Sequence, residues 1–376
     1  MAGDLSAFAQ ATIGEAAWSA EGTTPDAIEA ALRDLLVRRA RDERASSHGG
    51  LVPARVLNMI VFVPSGFAVE TSRRLDGVGR YHASRTVVLS YEPERERLDA
   101  RIALAAEEDR AEGELGLLRE TVVVEIGKRH LDDLVTIADP LVLSDLPTVL
   151  WSPHGHTSAA SSLLELAQTA LIDSLDETER SPNGWRSAMG HACTLSDRLY
   201  VVDLAWLRST PWRERVAATF DPRPMRSELE SLSRVTVTHH RDSTVAAMLL
   251  VGWLASRLSW DLGGARFTEA GEDVLAAAAS AAGGEIDLQL RTAPELEVPG
   301  LQTVELSSGS GQRVRLDRGP GGLRLHRRAL DGHERESTLL GASRGEGGIL
   351  GEGIRQALLR DPTYRPALNA ARAMLA

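Results

Sequence analysis

Residues 55–63 (RVLNMIVFV) constrain this chain more than any other stretch, being almost continuously apolar and ended at once by Pro64-Ser65-Gly66. A run of that length without alternation suits a strand buried on both faces, the condition of a parallel sheet covered by helices. Residues 84–91 (SRTVVLSY) repeat the theme in a β-branched form. Residues 98–104 alternate apolar and polar, and 120–126 (ETVVVEI) are again β-branched, so two more strands are expected.

Ahead of these strands, Thr24-Pro25-Asp26 reads as a helix start, a hydroxyl cap followed by proline in the first turn. Ile28, Leu32, Leu35 and Leu36 then share one face, Arg38, Arg39 and Arg41 suit the negative end of the helix dipole, and His48-Gly49-Gly50 ends the pattern. Further along, strand and helix alternate. Residues 148–151 read as a strand and 152–157 as a loop. Leu163, Leu166, Ala167, Ala170 and Leu171 have helical spacing, with Ser158 as a candidate cap. Residues 199–204 (LYVVDL) and 235–238 read as strands, and Asp242-Ser243 can cap an apolar helix over 245–258. That pitch predicts parallel βαβ units.

The texture changes at Gly263-Gly264. Residues 285–291, 302–306, 312–316 and 323–327 are short alternating segments between turns containing glycine or proline, the pattern of an antiparallel meander. Residues 349–375 read as helical with a break at Asp361-Pro362, and the glycine-rich 341–353 as a mobile connection. The expected fold is therefore α/β: a largely parallel sheet with flanking helices in the amino-terminal and middle parts, then a carboxyl-terminal α+β part with an antiparallel meander. A length of 376 residues exceeds one ordinary core. The expected division is a helical extension over 1–50, an α/β core over 51–262 divisible near 140, and a carboxyl-terminal domain over 263–376.

Charge and cysteine usage narrow the function classes. The formal net charge of −11 disfavours nonspecific binding to nucleic acid or an anionic membrane. Cys193 is the single cysteine, so no internal disulfide and no CxxC metal or redox motif exists. Residues 1–10 lack the pattern of a secretory leader, and the longest apolar run, 245–255, is too short to cross a bilayer. A cytoplasmic protein is expected.

Several residues could carry chemistry. His154-Gly-His156 follows a strand and could join a metal site, yet spacing identifies no third ligand. The same loop could hold an anion on helix amides, but it lacks GxxxxGK[ST], and two exposed histidines in a loop would look the same. His191-Ala-Cys193 would need its side chains to meet in space to act as a nucleophile pair, and His239-His240 merely ends a strand. No GxGxxG follows the first strand.

The most informative segment is 203–213, DLAWLRSTPWR. Asp203 closes an apolar strand and so belongs at the carboxyl edge of the sheet, where α/β proteins place ligands. Trp206, Arg208, Thr210, Trp212 and Arg213 follow. Tryptophan and arginine dominate interface hot spots, so this segment, with Trp151, is a candidate partner-binding surface. The alternative is that the tryptophans pack in the core and the arginines pair with nearby acids.

Here the chain resembles the glucose-6-phosphate dehydrogenase assembly protein (OpcA) family. The resemblance is carried by RVLNMIVFVP at 55–64, HASRTVVL at 82–89, ETVVVEI at 120–126 and LVLSDLPTVLWSP at 141–153. It continues through DLAWLRSTPWRERVAATFD at 203–221 and LLVGWLASRL at 249–258. Many relatives have two tryptophans where this chain has Trp151-Ser152, and the first fifty residues resemble a variable extension. The resemblance implies a noncatalytic protein, with no cofactor of its own, that binds glucose-6-phosphate dehydrogenase and promotes its assembly or activity. The competing reading is an α/β sugar-phosphate- or nucleotide-binding enzyme or sensor using the crevice beside Asp203 and the 152–157 loop.

Overall fold

The structure, a computed structural model, describes residues 17–45, 55–78, 84–106, 118–155, 159–178, 184–328, 333–340 and 345–375. His48, His82, His156, Thr157, Ser158 and residues 341–344 lie outside them. Contacts divide the chain into two units, each discontinuous in sequence. The first holds 1–172, 199–202 and 346–359; the second holds 173–198, 203–345 and 360–376.

The first unit is built on β1 (Trp18–Ala20), β2 (Leu57–Pro64), β3 (Ser84–Tyr91), β4 (Asp99–Ala106), β5 (Leu118–Ile126), β6 (Thr148–Trp151), β7 (Thr169–Ile172) and β8 (Tyr200–Asp203), ordered β1-β4-β5-β3-β2-β6-β7-β8. Pairs β5–β3, β3–β2, β2–β6 and β6–β7 are parallel; β4 runs antiparallel to β5, and β1 to β4. The apolar run becomes β2 as expected, with its first seven residues all buried.

One face of this sheet packs Ile60, Phe62, Val87, Leu89, Val122 and Val124 against Ile28 and Leu32 of α1 (Pro25–Ala45) and Leu134 and Ile137 of α3 (Leu134–Ala138). Thr24 caps α1, its Oγ1 accepting from the Ala27 amide at 3.3 Å. Between β2 and β3 lies α2 (Ala68–Val78).

The amino ends of three strands share an ion cluster with no motif of its own. Glu120 is fully buried and paired with both Arg55 and Arg85, and the Arg85 Nε–Oε2 bond is 2.7 Å. A buried carboxylate needs such pairing, since without a cationic partner its charge would stand uncompensated.

Two local expectations are corrected. The helix read from Leu163 to Leu171 is instead a short 3-10 turn, Ser161–Glu165, and then strand β7. Periodicity cannot separate a short apolar helix from a buried strand, and the sheet beside β6 buries all four β7 residues. The glycines from Gly345 onward open helix α10 (Gly345–Leu359) rather than a connection.

In the second unit, α4 (Ser174–Thr178) and α5 (Gly184–Ser196) precede α6 (Leu204–Arg208), α7 (Thr210–Phe220) and α8 (Arg223–Glu230). Its sheet contains β9 (Leu232–His239), β10 (Thr268–Gly271), β11 (Val274–Ala281), β12 (Gly284–Thr292), β13 (Leu301–Ser308), β14 (Arg313–Gly319), β15 (Gly322–Arg328) and β16 (Glu334–Leu340). The order is β10-β11-β12-β9-β13-β14-β15-β16. The meander is present, but β9 enters its centre, parallel to β12 and antiparallel to β13. The strand read at 235–238 therefore belongs to this second sheet and not to the parallel one.

Alternation turns Val235, Val237, Leu288, Leu290, Val304 and Leu306 inward, while Thr236, Gln289 and Glu305 are only half-buried. The apolar helix α9 (Thr244–Leu258) crosses α11 (Tyr364–Ala373) at Gly252, where an added Cβ would lie 2.3 Å from the Ala367 carbonyl oxygen. Only glycine permits that approach. Ser243 precedes α9 as expected, but its Oγ accepts from the Gly300 amide at 2.7 Å instead of capping the helix.

Candidate functional site

The segment from Asp203 to Arg213 folds into the end of β8, helix α6 and the start of α7, with its polar atoms matched one to another. Asp203 is fully buried. Its Oδ1 accepts from the Ala205 amide (2.9 Å) and the Ser174 amide (3.2 Å), and its Oδ2 accepts from Ser174 Oγ (2.5 Å) and Tyr364 Oη (3.5 Å). Burial raises its pKa to about 6, against the lowering effect of these donors.

Trp206 is 1% exposed, and its indole Nε1 donates to Asp361 Oδ2 at 2.9 Å. Burial alone would raise the Asp361 pKa, but the bonds from Thr363 and Trp206 hold it below the usual carboxylate range.

Arg213 is buried too. Its guanidinium carbon stands 3.3 Å from the centre of the Trp206 ring, Nη1 donates to the Trp206 carbonyl (2.7 Å) and Ser209 Oγ (2.5 Å), and Nη2 donates to Thr210 Oγ1 (3.0 Å). Burial lowers its pKa to about 9, which leaves it charged at neutral pH. A stacked ring and neutral acceptors here do what the alternative reading assigned to a nearby acid.

Arg208 forms a two-pronged pair with Asp173, Nη1–Oδ1 2.8 Å and Nη2–Oδ2 2.7 Å. Trp212 is buried, and Thr210 is half-buried. The segment read as a partner surface thus presents mainly Thr210 and the partly exposed Arg208. Asp203, Trp206, Trp212 and Arg213 face inward, where burial of two indoles and satisfaction of one buried cation favour structure over display. Trp151 belongs to the other unit and is fully buried.

Around Trp151 the chemistry is different. In the first sheet the chain runs from β2 toward β3 on one side and from β6 toward β7 on the other, so the carboxyl ends of β2 and β6 flank a point where the winding reverses. Open α/β sheets form a crevice at that point. Phe67, just after β2, stacks on His154, just after β6, with ring centroids 4.1 Å apart and planes at 15°.

His154 adopts a left-handed φ of 59°, and its Nε2 lies 2.7 Å from Glu70 Oε2. Glu70 also pairs with Arg74 at 3.5 Å, and the Arg74 guanidinium lies 5.2 Å from the centre of the Trp151 ring. Thr71 Oγ1, Trp151 Nε1 and Ser152 Oγ are buried without a hydrogen-bond partner among the described residues. Sequence reading singled out His154 here but missed Glu70, Thr71 and Arg74, because they match no motif and are recognisable only once α2 is docked beside β6.

Other candidates are quieter. Cys193 is buried in α5, and burial raises its thiol pKa. His239 is buried and its pKa is lowered to about 4, chiefly by burial. An open polar hollow on the second sheet is lined by Thr236, Gln302, Glu305, Arg315 and Asp317, and Arg315 pairs with Asp317 within it at 2.8 Å. Among the described residues no group of three or more His, Cys, Asp or Glu side chains could hold a metal ion. None of their helices is long and apolar enough to cross a membrane.

Two profiles of one family match the chain in order. Residues 76–186 match the N-terminal domain of the glucose-6-phosphate dehydrogenase subunit, and residues 199–368 match the C-terminal domain of the same protein. The OxPP cycle protein OpcA of Synechocystis sp. is 27% identical over 133 residues, 35% of this chain and 27% of that protein. The protein of the same name from Nostoc punctiforme is 28% identical over 123 residues, 32% of this chain and 26% of that protein. The matched stretch therefore spans less than a third of these relatives' length. Among solved structures, the chain is similar to a super-repressor mutant of Gal80p from Saccharomyces cerevisiae. That match has 9% identity over 85% of this chain and 94% of the other, with a TM-score of 0.45.

Proposed function

We propose that this chain, which belongs to the glucose-6-phosphate dehydrogenase subunit (OpcA) family, is a noncatalytic partner that binds glucose-6-phosphate dehydrogenase and promotes its oligomerisation or activity. The observation that carries the reading is the pair of profiles, consecutive and in order, each described as part of a subunit of that enzyme. The relatives named for the OxPP cycle support the same setting, the oxidative pentose phosphate pathway, and with it a cytoplasmic location.

A physical mechanism follows from linkage. A partner that binds the competent state of an enzyme more tightly than the incompetent one shifts the population by that difference in affinity and no more. It needs no cofactor; the dehydrogenase supplies NADP and glucose 6-phosphate. Within the candidate segment, Arg208 and Thr210 are the side chains placed to touch the enzyme. Asp203, Trp206, Trp212 and Arg213 hold the backbone that presents them. Trp151 supports the other unit's sheet edge.

The test is to mix the purified chain with the dehydrogenase of the same organism and to measure initial rates and sedimentation. A faster-sedimenting complex with a changed rate is expected. No complex and no kinetic change at micromolar concentration would overturn the reading.

A further inference from the structure

We infer that the crevice at the carboxyl ends of β2 and β6 is a binding site for a phosphomonoester. The inference concerns the isolated chain and does not depend on its partner. It starts from a deficit. Buried polar groups in folded proteins are nearly always hydrogen-bonded, and each exception calls for an occupant or a function. Here three exceptions fall on two elements that meet where Arg74 of α2 lies over the Trp151 ring: Thr71 Oγ1 on α2, Trp151 Nε1 at the end of β6 and Ser152 Oγ just beyond it. Thr71 and Trp151 are both 0% exposed.

The chemistry of the deficit selects the ligand. An indole N–H can only donate, and so can the guanidinium of Arg74, which lies over the same indole. The two hydroxyls can donate as well. A site this rich in donors is complementary to a ligand rich in acceptors and negatively charged, and arginine is the residue that pairs best with such oxyanions. His154, one strand end away, adds a nitrogen to the same rim.

The first turn after the strand argues for one phosphate group rather than a dinucleotide. A pyrophosphate needs several free backbone amides on a glycine-rich turn. Here that turn is Pro64-Ser65-Gly66-Phe67: proline brings no N–H, and the phenyl ring is stacked on His154. The Glu70 carboxylate occupies the first turn of α2, where a second phosphate would meet like charge. One approach stays open, because a Cβ added to Gly66 would meet no atom within 4 Å.

Glu70 completes the device. It is half exposed and bonds both Arg74 and His154, so it stands where an external anion would stand. Binding replaces the carboxylate by a phosphate oxyanion on the Arg74 guanidinium and beside the His154 ring, and Glu70 turns out to solvent.

Calorimetric titration of the full chain with inorganic phosphate, glucose 6-phosphate and adenosine monophosphate tests this. Saturable binding of at least one is expected, and the tightest of the three tells whether a sugar, a base or neither is read beside the phosphate. Arg74→Gln should weaken binding more than about tenfold, the scale of a charge-assisted hydrogen bond. Glu70→Gln should tighten it about threefold by removing the competing carboxylate. A purely structural Glu70 would not produce that gain. Failure of all three ligands to saturate at millimolar concentration overturns the proposal, as does binding that neither variant alters. Because the dehydrogenase is absent, such a failure leaves the partner reading to its own test.

Discussion

The segment from Asp203 to Arg213 and the crevice beside Trp151 both gather tryptophan, arginine and acid near the end of a strand, yet one is saturated and the other is not. In the first, Asp203 accepts four hydrogen bonds, Arg213 donates three and lies on an indole, and Trp206 Nε1 has its carboxylate. In the second, an indole N–H and two hydroxyls are buried with nothing to bond among the described residues. The difference teaches that residue type alone does not mark a site. A buried polar group that has spent its hydrogen bonds internally holds a fold, and one that has not is available to a ligand.

The largest expected effect tests whether the first region is a brace. Trp206→Ala removes the ring under Arg213 and the donor to Asp361, and should cost about 3–5 kcal/mol in urea denaturation, as deletion of a core tryptophan does. A loss below about 1 kcal/mol would mean that the segment is not a brace, and the contrast would collapse.

A second test uses protons. Burial raises the folded pKa of Asp203 to about 6, from an unfolded value near 3.8. The folded state therefore holds this proton more tightly. Its stabilising contribution is complete below about pH 4 and is lost as pH rises through about 6, a change of at most about 3 kcal/mol. Comparing the chain with Asp203→Asn across that window isolates the group, because the variant has no proton to lose there. The stability advantage of the unaltered chain should shrink as pH rises. A difference that stays flat would make Asp203 an ordinary surface-like carboxylate.

Much of this was legible beforehand, and the limit is physical. The burial of β2 follows from its unbroken apolar run, and the start of α1 from Thr24 and Pro25. The break between α10 and α11 follows from Asp361-Pro362. What failed to show were relations between distant residues. Nothing local says that Glu120 will meet both Arg55 and Arg85, or that residues 235–238 will enter the middle of a meander. The conspicuous 203–213 segment drew attention through its residue types, but whether a guanidinium faces solvent or an indole is decided by packing. Thr71, Arg74 and Glu70 were invisible for the same reason.

Arg208 sharpens the comparison at an intermediate scale, since it is the part of the saturated region nearest the surface. Its partner Asp173 has a side chain only 2% exposed, against 17% for Arg208. Arg208→Ala would leave that carboxylate buried without its two strongest donors, at about 1.5–3 kcal/mol, the value of hydrogen bonds to a charged group. Arg208→Lys should recover part of this with one contact in place of two. Association with the dehydrogenase should weaken as well, as the proposed contact requires, and a melting temperature unchanged in the alanine variant would show that the pair with Asp173 is no part of the brace.

The smallest effect has the opposite sign and bears most directly on the second region. Thr71→Val replaces a hydroxyl by a methyl of similar size. At a satisfied site such a change loses a hydrogen bond and destabilises. Thr71 Oγ1 has no bond to lose among the described residues and has been desolvated without compensation. Removing it should therefore leave stability unchanged or raise it by up to about 1 kcal/mol, measured by urea denaturation in phosphate-free buffer. In saturating phosphomonoester the order should reverse. The unaltered chain gains stability by mass action with its ligand, and the valine variant, binding more weakly, gains less. A valine variant that is less stable without any ligand would show that Thr71 is bonded in solution, and the contrast between the two regions would be lost. Crossing of the two stability curves as ligand is added is the outcome that only an unsatisfied, ligand-ready hydroxyl produces.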